Sequence, residues 1–238
     1  MTGQIHLKIK ELHDKYGDVV RTGRNELSFT SAAAFKDIHT RHGPWKTAFP
    51  KDPETYPAPA NGVHSILTVR SDADHSRYRR LLSHAFSEKS LQEQAPLIKK
   101  YIDMFINRLH ENASKGSQDM VAWFNFTTFD IIGDLSLGES FDCLDKQEYH
   151  PWITFLFRAF KAIAFISSSK KFPWVSKIIL SLLPKSLAQA RVNHMLFTRE
   201  KVLKRISEGT GRPDFMTNVL KHNDKEVSIY LPATILPS

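Results

Sequence analysis

Asp72 to Ser87 reads DADHSRYRRLLSHAFS, and the organisation of the chain follows from this run. At helical spacing His75, Arg79 and Leu82 fall one turn apart, as do Tyr78, Leu81 and Ala85, so a basic ridge lies beside an apolar one. Arg77, Arg79 and Arg80 with His75 and His84 make it the densest cationic helix in the sequence. Asp72 and Asp74 precede the basic turns, which suits the positive N-terminal end of a helix dipole. Two readings stand at this point. A solvated amphipathic helix explains the charge pattern. An anion-binding helix explains it too, because Arg presents a planar fork to a carboxylate or phosphate and His at i, i+4 aims a second donor at the same anion.

Working outward, the run follows NGVHSILTVRSD at 61–72, and a second segment, FDIIGDLSLGESF, occupies 129–141. Together these segments resemble the N-terminal half of fungal cytochrome P450 enzymes, the haem-thiolate monooxygenases, over residues 5 to 227. The resemblance makes 72–87 the helix that meets the haem rim. It implies that His75, where many relatives carry Trp, and Arg79 hold the haem propionates. It also implies that Val63, His64, Ser65 and Ile66 line the substrate side of the haem. The fold expected is mainly α with a small β-hairpin near the N-terminus, the first part of the P450 fold, with residues 1–238 a partial domain that stops before the oxygen-activating helix.

Flanking segments agree with a helical domain. Ile5, Ile9, Leu12 and Tyr16 share a helical face that Gly17 ends. Residues 18–30 predict two short strands around Gly23-Arg24-Asn25. Ser31 is positioned to cap a helix from Ala32 to Arg41. The Pro-rich stretch from Gly43 to Asn61 reads as a loop whose aromatics, Trp45, Phe49 and Tyr56, pack it onto its own domain. Leu97, Tyr101, Met104, Phe105 and Leu109 form a stripe in a helix over 93–112. Val121 to Leu137 predicts a helix buried on most sides, in which Asp130 and Asp134 are structural, since no partner base or nucleophile accompanies them. Pro151 to Phe172 is apolar but carries Arg158 and Lys161, too charged for a membrane span. Trp174 and Lys177 follow it, a composition that suits either an interfacial segment or a protein core. Ala188 to Ser207 predicts an amphipathic helix, and Asp214 caps a further one.

Composition bounds the function. The 238 residues carry a net charge of +8, with 41% hydrophobic and 24% charged residues, ordinary for a globular protein. No zinc-finger spacing accompanies the positive charge, so nucleic acid is not the expected partner. The single cysteine, Cys143, excludes an internal disulfide and a multi-cysteine metal site. Also missing are a Gly-rich phosphate loop, a G-x-S-x-G elbow, an H-E-x-x-H pair, an E-x-x-R pair and the family's cysteine loop. Cys143 lies in GESFDCLD without that loop's Gly and Arg offsets and is not expected to ligate iron.

The resemblance therefore implies part of a haem-dependent monooxygenase that oxidises a small lipophilic metabolite, in fungal secondary metabolism, with haem as cofactor and an NADPH-dependent reductase as partner. Without an axial thiolate the chain as written is expected to be inactive and to hold haem only by its rim. The family implies the cytosolic face of the endoplasmic reticulum membrane, or the cytoplasm where no anchor precedes the chain. A non-catalytic helical protein that binds a membrane or a lipid through residues 151–184 is the alternative.

Overall fold

A computed structural model of the chain describes residues 4–40, 49–53, 55–56, 64–169, 174, 177–178, 181 and 185–222. Val63, Trp45, most of 170–184 and residues 223–238 fall outside these residues. The chain divides into two compact units, residues 1–76 and 77–238, each described in turn.

In the first unit α1 spans Ile5–Tyr16 and ends at Gly17, whose φ of 90° is where a residue without Cβ is favoured. Strands β1 (Val19–Gly23) and β2 (Glu26–Phe29) pair antiparallel, with Val19 opposite Phe29 and an irregularity between Arg21 and Gly23. His13 ties α1 to the hairpin. Its Nδ1–H donates to the Gly17 carbonyl and its Nε2 accepts from the Ser28 hydroxyl, both at 2.8 Å. Ser31 caps α2 (Ala32–His39) by accepting from the Ala34 N–H at 3.1 Å. Of the loop aromatics Phe49 is 67% exposed, whereas Tyr56, 39% exposed, lies under the Lys51 ammonium, 5.7 Å from its ring centre, and its carbonyl accepts from Arg70 at 3.2 Å.

Helix α3 (Asp72–Ala85) crosses the division. In the second unit Ser87 caps α4 (Glu88–Asn112), which starts five residues earlier than its apolar stripe suggests because this cap, not the stripe, sets the boundary. Gln94 and Ser90 donate to the carbonyls of Ala85 and His84, satisfying the end of α3. Asp119 caps α5 (Met120–Leu137), which stops at left-handed Gly138. Short α6 (Cys143–Lys146), then α7 (Pro151–Ser169), α8 (Lys185–Ser207) and α9 (Phe215–His222) follow. Helix α8 begins three residues before the expected Ala188.

The core is the cluster Tyr101, Trp123, Phe126, Phe141, Cys143, Leu144 and Ile153, from α4, α5, α6, α7 and the loop after α5. Gly133 permits its density, since a Cβ there would meet the Phe141 ring at 2.8 Å. Helix α5 departs from expectation. Trp123, Phe126, Asp130 and Gly133 are buried on one side, but Val121, Phe124 and Ile132 stay exposed on the other, because no described element covers that side.

Candidate functional site

The residues assigned to the haem and substrate lie at 64–66 and in α3. Residues Ile66–Thr68 form a turn. The Thr68 and Val69 amides donate to the Ser65 carbonyl at 3.1 and 2.9 Å. The Thr68 hydroxyl accepts from the Ser65 N–H at 2.9 Å, and His64 Nδ1 donates to the Thr68 carbonyl at 3.2 Å. His64, Ser65 and Ile66 are thus brought together in one hydrogen-bonded loop. Buried Val69 roots it, while Leu67 at its tip is 68% exposed. Lys51 completes it by donating to the carbonyls of Ile66 and Leu67 at 3.2 and 2.8 Å. That lysine escaped the sequence reading, since a contact across fifteen residues of loop leaves no periodic signal.

Ser71 opens α3, accepting from the Asp74 N–H at 3.3 Å. His75 and Arg79 follow one turn apart on the same helix, His75 half-buried and Arg79 exposed. Among the described residues neither side chain makes a hydrogen bond or ion pair with protein. Two strong donors at i, i+4 are therefore uncommitted, a donor set that fits a carboxylate.

Cys143 sits at the start of α6, 1% exposed within the core cluster. Burial pushes its thiol up to about 11, with Asp130 adding in the same direction against the opposing His150 backbone N–H. The sulfur is thus part of the packed core. The paired carboxylates of α5 are spent on structure. Asp130 accepts from the Cys143 and Leu144 amides at 3.0 and 2.8 Å. Asp134 accepts from the Tyr101 hydroxyl at 2.7 Å and pairs with Arg212. Burial, ahead of that hydrogen bond, drives the Tyr101 phenol far above its ordinary range.

A recess of about 280 Å³ opens beside the loop after α5, lined by Phe141, Lys146, His150, Phe197 and Lys201 among others. Glu139 at its rim forms ion pairs with Lys201 and Lys204. Burial raises the Glu139 carboxyl, but the two lysines outweigh it and hold the group below its ordinary value. The recess contains none of the residues assigned to haem or substrate, and its charged lining does not suit a lipophilic guest.

The family model for cytochrome P450 matches residues 1–229 of this chain. The chain belongs to the cytochrome P450 family. Among curated relatives it is 44% identical to cytochrome P450 monooxygenase astJ of Aspergillus oryzae over 226 residues, 94% of this chain and 45% of the relative. It is 40% identical over 221 residues to cytochrome P450 monooxygenase astA of Talaromyces wortmannii, covering 93% and 44%. Cytochrome P450 monooxygenase lcsI of Purpureocillium lilacinum is 38% identical over 231 residues, covering 94% and 44%. The chain thus spans somewhat under half the length of the relatives it matches. Haem is the cofactor of the P450 family, and the uncommitted donors His75 and Arg79 fit the carboxylate edge of that group.

Proposed function

We propose that this chain forms the haem-rim and substrate-side part of a monooxygenase acting on a small lipophilic metabolite. The observation that carries it is the pair of donors on α3, His75 and Arg79, one turn apart and uncommitted to any described acceptor. Arg79 meets a propionate through its guanidinium fork and His75 donates a ring N–H to the same edge, so the haem is oriented by charge-assisted hydrogen bonds. The loop His64–Ser65–Ile66, with Val63 before it, presents its side chains to the substrate. Lys51 holds that loop's shape by its carbonyls. Bound haem supplies oxygen activation, which in this family requires a thiolate on iron. The one cysteine thiol in these 238 residues is buried Cys143, so the chain by itself does not oxidise. The electron donor is an NADPH-dependent reductase.

We place the chain at a membrane surface of the endoplasmic reticulum, cytosolic face. The supporting observation is the aromatic surface of α7 and the residues after it. Phe160, Ile163, Phe165 and Trp174 are 52–69% exposed beside Lys161 and Lys177. No described helix is long and apolar enough to cross a membrane. The same surface favours the second reading, a non-catalytic membrane-binding protein.

Spectroscopic titration of the chain with haem separates the two. Saturable binding that weakens about tenfold or more in H75A/R79A supports the haem-rim assignment. Liposome binding with no haem response supports the second reading. A red-shifted, thiolate-type ferrous–CO band from this polypeptide alone overturns the predicted inactivity.

A further inference from the structure

We infer that the recess beside the loop after α5 binds a small organic carboxylate, no larger than a single ring, through Lys146, Lys201 and the His150 ring N–H. The recess uses none of the residues assigned to haem or substrate, so this site stands whether or not those assignments do.

His150, the residue before α7, has its ring held between two aromatic neighbours. Its centre lies 5.4 Å from that of Phe141 and 5.4 Å from that of Phe197. Nδ1 accepts the Trp152 N–H at 3.1 Å, so the neutral ring carries its proton on Nε2. That Nε2–H is donated to no described residue, and the ring lines the recess. A half-buried donor without a protein partner finds its acceptor in solvent or in a ligand.

Cations stand on both sides of this donor. Helix α6 contributes Lys146 and α8 contributes Lys201. Lys146 meets Asp142 at 3.5 Å, with both side chains more than half exposed, a loose pair. Glu139 is shared between Lys201 and Lys204. The recess and its rim therefore hold three ammonium groups, Lys146, Lys201 and Lys204, against two carboxylates, Asp142 and Glu139. The potential at His150 has the matching sign. Burial comes first in holding the ring below its ordinary value, and the two recess lysines follow, ahead of Asp142 and Asp130, which act the other way. Positive potential around an uncommitted N–H selects an anion.

The aromatic walls select the rest of the ligand. Phe141 is buried and stacks on Trp152 at 5.1 Å, while Phe197 is half-buried with the Lys201 ammonium 5.3 Å from its ring centre. A cation at the edge of an aromatic surface suits a molecule with a carboxylate at one end and a flat apolar body at the other. The volume of about 280 Å³ lies just below the range of sites for drug-sized ligands, which limits that body to one ring. Inorganic phosphate would meet the donors and leave the rings uncovered.

The test is calorimetric titration of the 238-residue chain with benzoate, with benzamide as its neutral isostere and inorganic phosphate as a charge without a ring. Benzoate should bind one-to-one and at least about tenfold more tightly than either. Lys201→Met should weaken it about tenfold and exposed Lys146→Met about fivefold, the latter with an unchanged urea midpoint. Glu139→Gln removes the carboxylate that competes for Lys201 and should tighten benzoate about threefold, a gain that loss of folding does not produce. H75A/R79A should leave benzoate binding as it is. Several outcomes overturn the proposal. These are no benzoate binding, benzamide or phosphate binding as tightly as benzoate, and lysine variants that bind like wild type. Loss of benzoate binding in H75A/R79A also overturns it, by placing the carboxylate on α3 instead.

Discussion

The two units of this chain hold themselves together by different means. In residues 77–238 the interior combines an aromatic cluster with one fully buried ion pair among the described residues. Arg205 donates to both oxygens of Asp214 at 2.7 and 2.9 Å and to the Thr217 hydroxyl at 2.8 Å, with Arg205 and Asp214 both at 0% exposure. Among the described residues of 1–76 the buried apolar side chains are Val20 and Val69, and α1 is tied to the hairpin by the hydrogen bond between His13 and Ser28. The residues assigned to substrate, His64, Ser65 and Ile66, belong to this lightly packed unit. The difference teaches that the strongest polar interactions here secure the fold, and that the groups proposed for chemistry sit where packing constrains them least. That is the usual division of labour between scaffold and functional loop.

The largest effect should come from breaking the buried pair. Arg205→Met removes the bidentate partner of the Asp214 carboxylate, leaving it the longer contact to Arg212 at 3.5 Å and the Thr217 N–H at 2.8 Å as the cap of α9. Breaking a buried pair costs about 3–5 kcal/mol, and with Arg212 still at hand the loss should be about 3 kcal/mol, measured as a lowered urea midpoint of the second unit. A loss under about 1 kcal/mol would mean the pair is not the anchor its burial indicates.

This anchor also shows what the sequence could and could not convey. Asp214 is legible as a helix cap, and the left-handed glycines at 17, 138 and 209 mark helix ends where the pattern stops. The hairpin and most of the helices follow from caps and periodicity, local signals that survive without tertiary context, whereas four-residue α6 carries no such signal. The partner of Asp214 does not, because Arg205 sits in a helix with several other cations and nothing in their spacing singles it out. Likewise the apolar ring of α5 announced burial, but which side its own chain covers depends on the packing of α4, α6 and α7. At the candidate site, His75 and Arg79 emerged only through resemblance to a family; H-x-x-x-R spacing alone also describes a solvated helix. Lys51 was invisible for the same reason as Arg205.

A smaller effect is expected in the first unit. Ser31→Ala removes the α2 cap and costs about 1 kcal/mol. Because that unit lacks a large core, the loss should appear as local fraying. Amide exchange in α2 should quicken about fivefold while the amides of α4 and α5 keep their rates. Equal acceleration in α4 and α5 would show that the two units share one cooperative transition, and the contrast drawn above would fail.

The smallest effect is a slope against pH, confined to the second unit. The His194 ring stacks on Trp152 at 4.6 Å and lies against Phe155, and burial holds it below its ordinary value of 6.5. His150 is held below the same value by burial first and then by Lys146 and Lys201. Its Nδ1 accepts the Trp152 N–H at 3.1 Å, a bond that requires an unprotonated nitrogen. Between each lowered value and 6.5 the unfolded chain binds more protons than the folded one, so stability rises with pH across that window. The contribution is complete above 6.5 and is lost as pH falls through the folded-state values. Urea midpoints should therefore drop between pH about 7 and about 5. His194→Phe preserves the stack on Trp152 while removing one of the two titrations, so it should flatten the slope without abolishing it. An unchanged slope would mean that the ring is neutralised no more readily in the folded chain than in the unfolded one. The packing of α8 on α7 would then owe nothing to the charge state of His194.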